Sequence, residues 1–207
     1  MAKLWIIHRR TLTKPKQHYI DILKKTFCDL FLERAEMIHF VNHSGNFGFV
    51  KSSLFDKNAP NLQKLRKIQF FEKDDDSTFI ENISDVANNL QHIIAQNRSS
   101  RISPCACKAL ASLIENQGAL QYLGITGYYQ NISTIIQSIK NSCQKLKELK
   151  FYTEDNFDDS IFSEMAKHLP PTLQYWDISI EATNYYPSPN AVKSFLENIA
   201  TNSLKES

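Results

Sequence analysis

Glycine is scarce in this chain, with five among 207 residues. That is too few for a protein built on phosphate-cradling loops or many tight hairpins, which need glycine's backbone freedom. Cysteine is sparse too. Cys28, Cys105, Cys107 and Cys143 do not make a disulfide framework. Cys105 and Cys107 form C-x-C, which is not a zinc-knuckle spacing, and no Cys or His pair stands at finger distance. All four are expected as reduced, buried thiols, and no metal or other cofactor is expected. Neither charge sign dominates: 24 Lys and Arg face 22 Asp and Glu, so the balance implies no nucleic-acid footprint. Long apolar runs are missing. Leu4 to Ile7 is followed at once by Arg9 and Arg10, too short for a secretory signal or a membrane span. The chain is therefore expected in the cytoplasm or nucleus, bound to neither membrane nor nucleic acid. The Asn-x-Ser matches at Asn42, Asn82, Asn97 and Asn131 then read as chance.

Motifs that carry chemistry are also missing. There is no nucleophile elbow, no P-loop and no zinc-binding helix motif. The six His are scattered; His39 and His92 fall on one strand face with no carboxylate or Cys placed to orient them. The expectation is a chain that is not an enzyme. Acidic runs follow strands at Glu72 ("EKDDDS") and Thr153 ("TEDNFDD"). They could form a cation or basic-peptide site. Helix capping is the reading favoured, because no Gly-containing calcium loop is present. Lys64 and Lys67 in "KLRK" are expected in solvent.

What the chain does have is apolar content, 42% of residues, enough to bury a core, and a count. The pattern L-x-x-L-x-I in "GALQYLGITGYY" (Leu120, Leu123, Ile125) recurs as Leu146, Leu149, Phe151 and as Leu173, Trp176, Ile178. Upstream it is Leu90, Ile93, Ala95; then Leu65, Ile68, Phe70; then, more weakly, Ala35, Ile38, Phe40. The first positions stand 25 to 30 residues apart. One such triplet is a weak signal, and six at a near-constant step indicate an internal repeat. The prefixes agree as well: "NLQ", "ALQ" and "TLQ".

Helical stripes lie between the triplets. They are Phe79, Ile83, Val86 and Leu90; Ala106, Leu110, Leu113 and Ile114; Ile132, Ile135, Ile136, Ile139 and Cys143; Phe162, Met165, Ala166 and Leu169; and Val192, Phe195, Leu196 and Ile199. Ser103 is a candidate N-cap with Pro104 at the first helical position, Ser188 and Pro189 repeat the pair, and Gly118 is a candidate stop. Each strand–helix unit cannot cover its own apolar side, and stacking the units buries both. The fold expected is α/β: a repeat solenoid with a parallel concave sheet and helices on the convex side. A doubly wound α/β domain is the rival, but it has no reason to hold a fixed step. Residues 1–34 are expected as an N-terminal helical cap, built on "HYIDILKKTFCDLFLERAE", and residues 35–207 as about six repeats. Leu204 stands where a further copy would open, so a solenoid truncated at its C-terminus is also expected.

The "NLQ", "ALQ" and "KLKELKF" strand starts and the copy "ALASLIENQGALQYLGI" resemble the degenerate leucine-rich repeats of F-box proteins. Those families usually carry Asn or Cys where this chain has His43, Lys73, Arg98, Tyr128, Glu154 and Glu181, so irregular turns are expected after the strands. The resemblance implies a solenoid that selects a protein substrate for a ubiquitin ligase. An F-box would dock the Skp-type adaptor and cullin, and "MAKLWIIHRRTLTKPK" does not resemble one, so it would be supplied elsewhere. The function expected is protein recognition through the concave face. Strand alternation puts His39, Gln69, Phe71, His92, Tyr122, Thr126, Lys150, Tyr152, Tyr175 and Asp177 there. This mix of aromatic and charged residues suits a protein interface. Two alternatives are a leucine-rich-repeat regulator of a GTPase or other enzyme, using Arg98 or Arg101, and a partial solenoid with no function of its own.

Overall fold

Alternation between apolar and polar residues is what makes each triplet a strand, because successive side chains point to opposite faces. In the computed structural model the described residues are 2–8, 35–42, 60, 62–72, 77–153, 158–180 and 187–204. For 2–8, 35–42, 71, 72, 78, 98–101, 180, 198, 199 and 201–204 the description is of the backbone. Seven strands form one parallel sheet: β1 (Ala2–His8), β2 (Ala35–Asn42), β3 (Lys67–Glu72), β4 (His92–Ile102), β5 (Tyr122–Tyr129), β6 (Glu148–Thr153) and β7 (Tyr175–Ile180). Their order in the sheet is their order in the chain. A doubly wound domain reverses strand order partway, so this sheet is not one. Helices α1 (Ser77–Val86), α2 (Pro104–Glu115), α3 (Ile132–Ser142), α4 (Asp159–His168) and α5 (Pro189–Leu204) lie between or after the strands. Each helix packs on the next.

The register aligns the repeat with itself. Ile68, Ile93, Leu123, Leu149 and Trp176 are neighbours across β3 to β7, and so are Phe70, Ala95, Ile125, Phe151 and Ile178. The first position of four copies, Leu65, Leu90, Leu120 and Leu146, is fully buried. The buried ones join residues of the helical stripes in one core cluster, with Leu173 and Ile178 packed against it, and burying each such side chain contributes about 1.5–3 kcal/mol. The junctions repeat as well. At the entries to β4, β5, β6 and β7 two consecutive backbone N–H groups donate to one carbonyl of the preceding unit. Gln91 and His92 donate to Arg66 O, Gln121 and Tyr122 to Gln91 O, Lys147 and Glu148 to Gln121 O, and Gln174 and Tyr175 to Lys147 O, at 2.7–3.0 Å.

Helix starts follow the capping rules. Ser103 Oγ accepts from Ala106 N at 3.2 Å, with Pro104 opening α2. Asp158 Oδ1 accepts from Ile161 N at 2.9 Å to cap α4. Ser188 Oγ accepts from Ala191 N, and its own N–H donates to Asp159 Oδ1, tying the start of α5 to that of α4. Asp158 and Asp159 close the second acidic run, so helix-end bonding is the observed role there; residues 73–76 and 154–157 of the two runs lie outside the described residues.

Several expectations need correction. Residues 2–8, assigned to a helical cap, form a strand paired in parallel with β2. Leu4 and Ile6 sit in register with Ile38 and Phe40, but the position where the triplet opens falls on Met1, so the count missed this strand. The cap helix itself, residues 18–36, falls largely outside the described residues. Gly118 does not take the left-handed backbone of a helix stop, since the positive-φ glycine among the described residues is Gly127. Asn116 caps α2 instead, its N–H donating to Ser112 O. Cys107 and Cys143 are buried, but Cys105 is exposed on the first turn of α2. Trp176 and Leu196, expected in the core, are 38% and 53% exposed. They lie on the last strand and helix, where no described unit follows to cover them. Trp176 still packs its edge on Phe195, ring centroids 4.9 Å apart.

Candidate functional site

The sheet face turned away from the helices carries the residues chosen from strand alternation, and the register sorts them into three rows. The first runs Lys67, His92, Tyr122, Glu148, Tyr175; the second His39, Gln69, Ile94, Gly124, Lys150, Asp177; the third Phe71, Gln96, Thr126, Tyr152, Ser179. All ten candidate residues therefore fall on one face. For His39 and Phe71 the register places the backbone, and their side chains lie outside the described residues. Gln69 makes a long contact with Gln96, Nε2 to Oε1 at 3.4 Å.

The middle of the face is an aromatic cluster closed by one cation. The Tyr122 ring stacks on His92, centroids 5.7 Å apart and planes 28° apart. The Lys150 ammonium lies 5.9 Å from the Tyr122 ring and 5.6 Å from the Tyr175 ring, within cation–π range. Tyr175 is 48% exposed. Gly124 explains the pose of Tyr122. A Cβ there would stand 3.1 Å from Tyr122 Cε1 and 3.2 Å from its hydroxyl oxygen, so the bare backbone leaves room for the ring to lie along the strand. Partial burial holds the His92 imidazole below the usual histidine range; the nearby Lys67 adds to this, and Glu148 opposes it.

Beside the cluster, a cleft of about 250 Å³ opens over β5, β6 and β7. Thr126, Lys150, Tyr152, Asp177 and Ser179 line it, over Ile125 and Phe151. Four of the ten candidates (Thr126, Lys150, Tyr152 and Asp177) thus share one cleft, and Lys150 joins it to the aromatic cluster. Gly124 and Ser179 were not among the ten candidates, although the same alternation puts both on this face. The role of Gly124 was not legible, because it depends on the pose of the ring above it.

Past this face, β4 runs longer than its neighbours. Its register with β5 jumps from Gln96–Thr126 to Arg101–Tyr128, an irregularity within the strand. Gly127 sits at the jump with φ +130°, and a Cβ there would meet Asn97 O at 2.6 Å. Arg98 and Arg101 belong to this segment by backbone, and their side chains lie outside the described residues. Among the described residues, no group of three or more His, Cys, Asp or Glu could hold a metal ion. No helix among them is long and apolar enough to cross a membrane.

No protein-family model matches the chain, and no curated protein matches it by sequence. A solved structure that it matches is N-(5'-phosphoribosyl)anthranilate isomerase from Pyrococcus furiosus, at 12% identity and a TM-score of 0.23, covering 86% of this chain and 94% of that one. The expectation that the chain is not an enzyme is withdrawn. The matched protein is an isomerase, and missing motifs do not exclude catalysis. A likeness at that TM-score gives this chain no activity either. The class that the fold defines is an α/β chain with a parallel sheet alternating with helices.

Proposed function

We propose that the chain is a leucine-rich-repeat-type solenoid whose open sheet face binds a protein. The observation that carries this reading is the run of in-register rows across strands of sequential order. Units that contact only their neighbours build an extended open surface, and repeat solenoids use such surfaces for binding. The chemistry of the face supports it. Tyr122, Tyr152 and Tyr175 offer large, stiff contact area, and Lys150 and Asp177 offer charge at the cleft. The finer placement, as the substrate-selecting part of an F-box-type ubiquitin ligase receptor working with a Skp-type adaptor and cullin, rests on the resemblance of the repeats alone.

The test is a double substitution, Tyr122→Ala with Tyr152→Ala. Both side chains are only half-buried and lie outside the helix-covered core, so the variant is expected to fold. Its capture of a cellular partner should fall at least about tenfold, the loss of one strong aromatic anchor. Undiminished capture by a folded variant would remove the open face from the function.

A further inference from the structure

The geometry points to a carboxylate as the group that the partner delivers to this face: an Asp or Glu in an extended segment, seated on Lys150 between the rings of Tyr122 and Tyr175. The inference rests on the reading of the open face as a protein-binding surface and names what that surface recognises.

Lys150 is on β6, and the two rings come from the strands on either side, β5 and β7. Both tyrosines are register partners of Glu148, two residues before Lys150. To reach the ammonium they extend along their strands into the next row. Tyr122 does so over Gly124, where a Cβ would crowd it. The outcome is a cation walled by two aromatic faces and open to solvent on top.

Rings attract a cation through their quadrupole but do not use up its three N–H donors. Ion-pair contacts among the described side chains are His168 with Glu164 and Lys193 with Glu197, both on helices. Lys150 is in neither. Its donors are available to an anion arriving from solvent, and apolar ring walls strengthen such a pair by excluding water. The adjoining cleft adds the hydroxyls of Thr126 and Ser179, which can donate to the same carboxylate or to the backbone beside it.

The same surroundings argue against a phosphate. Among the described side chains one Lys and no Arg fork faces the site, whereas phosphate recognition favours bidentate Arg clusters. Asp177 lines the same cleft, and Glu148 precedes Lys150 on its strand. Two nearby carboxylates disfavour a dianion more than a single negative charge. Asp177 also sets a polarity, with the acid over Lys150 and a donor, an amide N–H or a cation, on the β7 side.

The probes are three acetylated peptide amides, Ala-Phe-Glu-Phe-Ala and its Gln and phosphoserine counterparts, titrated into the isotope-labelled full chain. Ring resonances of Tyr122 and Tyr175 and the side-chain signals of Lys150 report binding. The Glu peptide should shift them saturably. The Gln peptide should need at least about tenfold more, the contribution of a hydrogen bond to a charged group. Lys150→Met, at an exposed position, should abolish the difference between Glu and Gln while the spectrum stays that of a folded protein. Gly124→Ala should weaken the Glu peptide by displacing the Tyr122 ring. Equal binding of Glu and Gln peptides, tighter binding of the phosphoserine peptide, or no binding at these rings would overturn the inference. If Lys150→Met leaves partner capture intact while the double tyrosine substitution abolishes it, the carboxylate is wrong and the protein-binding face stands. If neither substitution affects capture, both readings fall.

Discussion

At the scale of single residues, Gln117 shows how the repeat is stitched. In three units the turn before the strand closes through a backbone bond: Leu65 N to Leu62 O, Leu146 N to Cys143 O, Leu173 N to Pro170 O. At the equivalent turn the Gln117 carboxamide stands between the two groups. Its Nε2 donates to Ala87 O at 2.6 Å, its Oε1 accepts from Leu90 N at 2.9 Å, and Nε2 also donates to Leu113 O. The side chain is fully buried with its polar atoms satisfied. Gln117→Leu keeps most of the volume and removes the side-chain partner of three backbone groups, Ala87 O, Leu113 O and Leu90 N. We expect a loss of about 2–4 kcal/mol in urea unfolding; a change below about 0.5 kcal/mol would mean that the turn closes without it. Such a role could not be read from the sequence, where Gln117 is one polar residue at a helix end. The apolar triplets were legible because their burial follows from spacing alone. Buried thiols were legible in part: burial pushes Cys143 up to about 12, which leaves it inert, whereas Cys105 faces solvent.

At the scale of elements, caps and stripes decide where helices begin and which face they bury. Asp158 caps α4, and its carboxyl is held below the usual carboxylate range, chiefly by the Ser160 hydroxyl and then by the Ile161 N–H. A depressed carboxylate stabilises the fold above its ordinary pKa, and the gain is lost as pH falls through the depressed value. Asp158→Ala should therefore lower stability by about 1 kcal/mol at neutral pH, with the gap to the wild-type chain closing in acid. A gap that is unchanged down to strongly acid pH would assign the effect to something other than the charged cap. The five helices among the described residues were legible from their stripes, and the interior strands from the count. The strand at Ala2–His8 was not, because its opening position holds Met1 and its apolar residues read equally well as a short leader-like run. Leu196 and Trp176 were misplaced because spacing gives a residue's face but not whether anything packs against that face.

At the scale of the molecule, strand order carries the account. From β4 to β7 each unit hydrogen-bonds to the unit before it through the same pair of N–H groups, so the sheet grows in one direction and its outer face stays continuous. The face residues were legible from alternation once the step was known. Their clustering around Lys150 was not, since it depends on the bare backbone at Gly124 and on which way two rings lean. The central claim is that a protein docks on this face and not on the helical side. The direct measurement is site-specific photo-cross-linking with the full chain in cells, placing the reactive side chain at Thr126 or Tyr175 on the sheet, or at Lys108 or Lys140 on exposed helix positions. The account predicts that one common protein is cross-linked from both sheet positions and from neither helix position. Cross-linking of a common partner from Lys108 and Lys140, with none from Thr126 and Tyr175, would contradict it.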